Sequence, residues 1–354
     1  MCIRDSNNCA SNIEMRKKIL NIFIMLCLSG IAVAQSPVDV RNVGVISSKQ
    51  AHNTIWENKL YRQVEFLSDS LCDGRATGTR GSVEAAFWIA RRFGQLGLIP
   101  FSGNYTKHFY CPFGRNMLGM IPGSSGREND SYVIVMAHYD GLGTLGGKLY
   151  PGADSNASGV VAMVSVAEML SAMRLLGRAY SSNIIFAALD AKSSSMKGSR
   201  ALWDMIEQER LIDPESGKVI TADKIRMVVN IDQLGGTSSR LKSGREDFVI
   251  ILGRESIDKR YGDLFTWSNN RYGIGLELGF DYFGSKDFSN VFYRRVCDQK
   301  VFLENGVPSV LFTSGITMNN NKPYDTVDSL NMTVFKKRIW LIFHWIDEII
   351  KNYN

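Results

Sequence analysis

Downstream of residue 130 the hydrophobic positions fall into short unbroken runs separated by longer periodic ones. SYVIVMAHYD (131–140), NIIFAALDA (183–191), KIRMVVNID (224–232), FVIIL (248–252) and PSVLFTS (308–314) are the unbroken runs. With no polar alternation, such a run fits a strand covered on both faces, since neither face then meets water. ASGVVAMVSVAEMLSAMRLL (157–176) predicts a strongly apolar helix, and KKRIWLIFHWIDEIIKN predicts an amphipathic closing helix. Upstream, residues 53–75 predict a helix and CDGRATGTRG a loop. SVEAAFWIARRFGQLGL (82–98) has helical spacing, with Gly97 as its stop. Strands alternating with helices predict a mostly parallel sheet with helices on both faces. Residues 236–300 are irregular, rich in Gly, Ser and aromatics, and are read as a lid or an inserted segment.

Functional groups in such sheets collect at the carboxyl ends of strands. His138, Asp190 and Asp232 each lie just past an apolar run, which predicts that they converge on one pocket.

Composition changes this picture little, except at the N-terminus. The chain of 354 residues carries a formal charge of +6, of which the first 34 residues hold four basic and two acidic groups, leaving +4. No basic run interleaved with aromatics follows, so nucleic acid is not an expected partner. Met15-Arg16-Lys17-Lys18, the apolar stretch ILNIFIMLCLSGIAV and Ala32-Val33-Ala34 form a secretory signal pattern cut after Ala34. Residues 1–14 are read as upstream read-through, 15–34 as the signal peptide and 35–354 as the mature domain. The expectation is an exported protein, periplasmic or extracellular, with no stable membrane span after cleavage. Cys72, Cys111 and Cys297 remain, an odd number that admits one bridge at most and contains no thiolate zinc motif.

Three short motifs carry little chemistry. Gly141-Leu142-Gly143-Thr144-Leu145-Gly146 matches a dinucleotide fingerprint, but Gly147, Lys148 and Pro151 continue a loop where a helix should open. Ser194-Ser195-Met196-Lys197 lacks the S-D-N and K-T-G partners of penicillin-recognising enzymes. Cys297-Asp298 has no His near it in sequence and reads as a small buried thiol.

From about residue 60 to 350 the chain resembles the secreted co-catalytic zinc aminopeptidases. That family includes bacterial leucyl aminopeptidase and is related to glutamate carboxypeptidase and the transferrin receptor ectodomain. The blocks that carry the resemblance are FLSDSLCDGRATGTRGSVEAAFWIARRF, VIVMAHYDGLG, GADSNASGV, ALDAKSSSMKGSRAL, VVNIDQLG, CDQKVFLENGVPSVLFTSG and NKPYDTVDSL, in order. The resemblance implies a single α/β domain, with a mixed, mostly parallel sheet of about eight strands sandwiched between helices. It also implies two zinc ions sharing one carboxylate. Each ion is completed by a His and a further carboxylate, and a separate Glu serves as general base for the bridging water.

By the same resemblance, His138 stands at the first His ligand with Asp140 behind it, Asp232 at an Asp ligand, and Asp325 beside the last ligand. Ser155 occupies the bridging carboxylate position, Lys192 the general base, Ser193 the next Glu ligand and Asn321 the final His. Asp154, one residue before Ser155, is a candidate third ligand. Hydroxyls are poor zinc ligands at neutral pH, and Lys192 is expected to stand in for the missing cation by pairing with Asp232 or Asp154. The expected function is therefore a non-catalytic pseudopeptidase with no cofactor, binding a peptide or protein. The alternative is an active aminopeptidase with one zinc or a rewired site. A glutaminyl-cyclase-like reading is set aside, because its single zinc uses the three substituted ligand positions.

Overall fold

The computed structural model describes residues 50–109, 113–124, 130–238, 241, 243–282 and 284–351. The signal segment, the proposed read-through and Cys111 lie outside them.

Helices α1 (Glu57–Ser68) and α2 (Arg80–Gln95) open the fold. The long helix expected at 53–75 is shorter, because a 3-10 turn at Ser70–Arg75 contains Asp73 and Gly74 at positive φ. Strands β1 (Ile99–Pro100), β2 (Thr106–Phe109), β3 (Gly114–Ile121) and β4 (Tyr132–His138) follow. A hairpin of β5 (Gly143–Leu145) and β6 (Lys148–Tyr150) leads to α3 (Gly159–Leu175), β7 (Asn183–Leu189) and α4 (Lys197–Glu207). Next come β8 (Ile225–Ile231), β9 (Phe248–Leu252), α5 (Lys259–Arg271), β10 (Glu277–Gly279) and α6 (Lys286–Val291). The chain ends through α7 (Gln299–Glu304), β11 (Ser309–Thr313) and α8 (Met332–Ile350).

Nine strands form one sheet in the order β1-β3-β7-β4-β8-β11-β9-β10, with β2 on β3. The central strands β7, β4, β8 and β11 run parallel, while β3 and β9 join antiparallel. This is the expected mixed α/β sandwich. Within residues 236–300, β9 and β10 belong to the sheet.

The unbroken apolar runs have the expected cause. On β4, Val133, Val135 and Ala137 enter one core with α1, α2, α3, α5 and α8. Tyr132, Ile134 and Met136 alternate with them and enter the opposite core against Leu202 and Trp203 of α4 and Phe302 of α7. Helix α3, with its preceding turn, is long and apolar enough to cross a membrane, yet most of it is buried inside the domain. Cys72 and Cys297 are free, buried thiols, so no bridge joins them.

Candidate functional site

Because β4, β7, β8 and β11 are parallel, their carboxyl ends meet at one edge of the sheet. A cavity of about 550 Å³ opens there. His138, Asp140, Lys192, Ser193, Asp232, Ser155, Gln233, Cys297, Asn320 and Asn321 contribute its polar atoms and its one thiol. Its apolar wall is Leu142, Phe288, Val291, Phe292, Val296 and Ile316.

Side-chain direction at the strand ends follows register. In the parallel β4–β7 pair His138 faces Leu189, so Asp190 projects to the other side. In β4–β8 Met136 faces Asn230, and two residues further on His138 and Asp232 share a side. The expected three-residue convergence is therefore corrected to two. Asp190 turns away and accepts from Thr77 Oγ1 at 2.7 Å, Ala191 N at 2.8 Å and Arg115 N at 3.1 Å.

The turn before α3 is held by side chains that stitch backbone. Asn156 Nδ2 donates to the Ile231 carbonyl at 2.9 Å, and its Oδ1 accepts from Gln233 N at 2.9 Å and Gly159 N at 3.1 Å. A Cβ on Gly159 would lie 2.3 Å from Asn156 Oδ1 and 2.6 Å from the Ile231 carbonyl oxygen, so only Gly fits. Asp325 accepts from Asp154 N at 2.8 Å and Ser155 N at 3.1 Å, which fixes the turn from behind. Buried Arg75 supports the loop after β4 by donating to the Tyr139, Pro151 and Gly152 carbonyls, each at 2.8 Å. Gly141 packs against Gly74, where a Cβ would meet the Gly74 carbonyl at 2.4 Å. The glycine pattern at 141–146 thus serves packing, and the β5–β6 hairpin stands where a nucleotide fold would place a helix.

Asp154 corrects a second expectation. Its Oδ1 accepts from Gly235 N and Gly236 N, both at 2.9 Å, and Asp154 does not line the cavity that His138 lines. Its Oδ2 is buried without a hydrogen-bond partner among the described residues. Burial, with Asp325 nearby, pushes its pKa up to about 6.

The floor of the pocket is a chain of charges. Lys192 Nζ donates to Asp232 Oδ2 in a close contact and lies 3.3 Å from His138 Nε2. His138 Nε2 is 3.6 Å from Asp232 Oδ1, and His138 Nδ1 is 3.4 Å from Asp140 Oδ1. Asp140 accepts from Lys192 N at 3.0 Å, Ser193 N at 3.1 Å and Ser193 Oγ at 2.9 Å. Burial alone would raise Asp232, but the Lys192 charge and His138 hold it well below the usual carboxylate range. Burial likewise disfavours the Lys192 ammonium, and Asp232 outweighs it, leaving the amine more basic than usual. Burial and Lys192 oppose charging of His138, yet the Asp140 and Asp232 carboxylates raise it to about 9. Burial and the Asp232 charge push the Cys297 thiol well up, so it stays a neutral thiol. Asp298 is raised by burial and accepts from Ser199 Oγ at 2.8 Å.

These residues do not fit a two-zinc centre. Among the described residues, no group of three or more His, Cys, Asp or Glu side chains is placed to hold a metal ion. The two that face each other, His138 and Asp232, already share a protein ammonium.

The apolar wall on α6 and the turn after it escaped the sequence reading. Phe288, Val291, Phe292 and Val296 recur at intervals of three, four and eight, the spacing of one helical face, and that signal could have found them.

A family model described as peptidase family M28 matches residues 116–346. Among solved structures, the Legionella pneumophila LapA aminopeptidase aligns at a TM-score of 0.65 and 15% identity, over 93% of this chain and 79% of that one. BSAP, a zinc aminopeptidase from Bacillus subtilis, gives 0.51 at 16% identity, over 68% of this chain and 50% of that one. The Porphyromonas gingivalis glutaminyl cyclase gives 0.58 at 14%, over 83% and 98% respectively. At such identities the likeness is one of fold. No curated protein matches the chain by sequence.

Proposed function

The chain belongs to peptidase family M28, and from that premise we propose that it is a non-catalytic member whose pocket works without metal and serves to bind. The observation that carries this reading is the Lys192 ammonium on Asp232 and beside His138 Nε2. A dication at that point would have to displace it. Hydrolysis also needs a proton acceptor for water, and Lys192, held more basic than usual, is a poor one. Ser193 Oγ already donates to Asp140, which supports the same view. A peptide or protein ligand is the expected occupant, and the Met15–Ala34 leader supports export to the periplasm or the medium.

The test is zinc content of the purified full-length product, read with hydrolysis of a leucyl anilide. The expected result is no stoichiometric zinc and no turnover. Zinc near two equivalents with turnover would overturn the reading. The competing possibility, one ion on His138 and Asp232 at their 3.6 Å separation, predicts one equivalent with residual activity. A variant carrying Ser155→Asp, Lys192→Glu, Ser193→Glu and Asn321→His is expected to bind zinc, checked by metal analysis.

A further inference from the structure

If the pocket binds and does not cut, the hydrogen-bonding capacity of its floor limits what it can bind, and this inference rests on that reading. Both floor carboxylates are engaged. Asp140 is taken by two backbone amides and the Ser193 hydroxyl. Asp232 is taken by Lys192 on one oxygen and faces His138 on the other. An arriving ammonium would meet the Lys192 charge, and the carboxylates behind it are only 1% and 4% exposed.

Donors are in the opposite position. A lysine ammonium has three N–H groups. One is on Asp232; His138 Nε2 lies 3.3 Å from Nζ, and a charged His138 donates there and takes none of the other two. The Lys192 side chain is 22% exposed against 4% for Asp232 and 6% for His138, so of the charged side chains on the floor it is the most open to the cavity. Above it stand Leu142, Phe288, Val291, Phe292, Val296 and Ile316 around about 550 Å³, a volume suited to a small apolar molecule or group. A carboxylate would bring a further buried charge close to Asp232, whereas a carbonyl can take the spare N–H without adding charge.

We propose that this pocket receives an apolar group whose head is an uncharged carbonyl, a carboxamide above all, held by Lys192 Nζ, and that it rejects a free ammonium. A free peptide N-terminus is thereby excluded and a blocked, apolar amide admitted.

Three probes share one skeleton and differ only in the head: 4-phenylbutanamide, 4-phenylbutylamine and 4-phenylbutanoate. Titration calorimetry on the full chain is expected to show the amide binding about tenfold tighter than the amine, the worth of one hydrogen bond from a charged donor. Lys192→Met with Asp232→Leu, which removes donor and acceptor together, is expected to abolish that preference while the apolar body still binds. Amine or carboxylate binding at least as tight as the amide, or no binding by any probe, overturns the proposal, and the wild-type titrations decide this even if the variant does not fold. N-acetylphenylalaninamide, run in parallel, separates a peptide source from a free amide by which of the two binds tighter. Zinc content and anilide turnover are measured on the same sample. Turnover with bound zinc defeats the non-catalytic reading itself, whereas an inert, metal-free sample that prefers the amine defeats this inference alone.

Discussion

Lys192 and Asp232 depend on each other because Asp232 is only 4% exposed and Lys192 only 22%, so water shields neither charge well. Taking away one partner of a buried pair leaves the other uncompensated, which typically costs more than the pair is worth. Lys192→Met is therefore expected to destabilise the fold by about 3 kcal/mol, read from chemical denaturation, with partial discount for the exposed lysine tip. Adding Asp232→Leu should recover most of that loss. If the single variant is as stable as wild type, the ion pair does not exist in solution. The identities on this floor were legible in the sequence, since a Lys, two Ser and an Asn stand out against the resembling motif. The directions of Asp154 and Asp190 were not. Each depends on a one-residue offset in strand or turn, and composition is blind to that offset.

At the scale of elements, the strands with both faces covered could be read from unbroken apolar runs, and their observed bounds fall within a residue or two of the expected ones. Strand β3 could not. Its sequence GRNMLGMI contains polar residues because Asn116 serves the backbone, donating to the Gly198 carbonyl at 2.8 Å. Gly119 is present because a Cβ would sit 3.0 Å from Phe93 and 3.1 Å from Leu98. Both features look like loop chemistry until the neighbours are known. Helix α8 starts at a cap that the closing amphipathic pattern also missed, with Asn331 Oδ1 accepting from Val334 N at 3.1 Å. Asn331→Ala is expected to cost about 1 kcal/mol, measured as a lowered denaturation midpoint with an unchanged slope. Asn331→Ser should retain most of the stability, which separates capping from a general effect of the substitution.

Across the whole molecule, buried carboxyls give stability a dependence on pH. Asp347, on α8, is 1% exposed, and its nearest cationic partner is Arg178 at 3.7 Å. Burial, with Glu348 adding to it, raises its pKa to about 6 from the ordinary aspartate value of 3.8. A folded pKa above the unfolded one means that the native state holds more protons between those values. Stability from this group is then fully present below about pH 4 and lost as pH rises through about 6. The two-unit gap corresponds to about 3 kcal/mol. Asp347→Asn should raise the melting temperature at pH 8 relative to wild type, and the difference should shrink toward pH 4. A constant difference across that range would show that the side chain is not titrating there.

The placement of Lys192 also bears on how this site could change by single mutations. A lone Lys192→Glu substitution would set a third carboxylate beside Asp232 and Asp140 with no ion yet held, so the first step toward a metal site would weaken the fold before any zinc could repay it. On the metal-free reading proposed above, building a metal site here would need several positions to change together, because each single step leaves a buried charge without its partner.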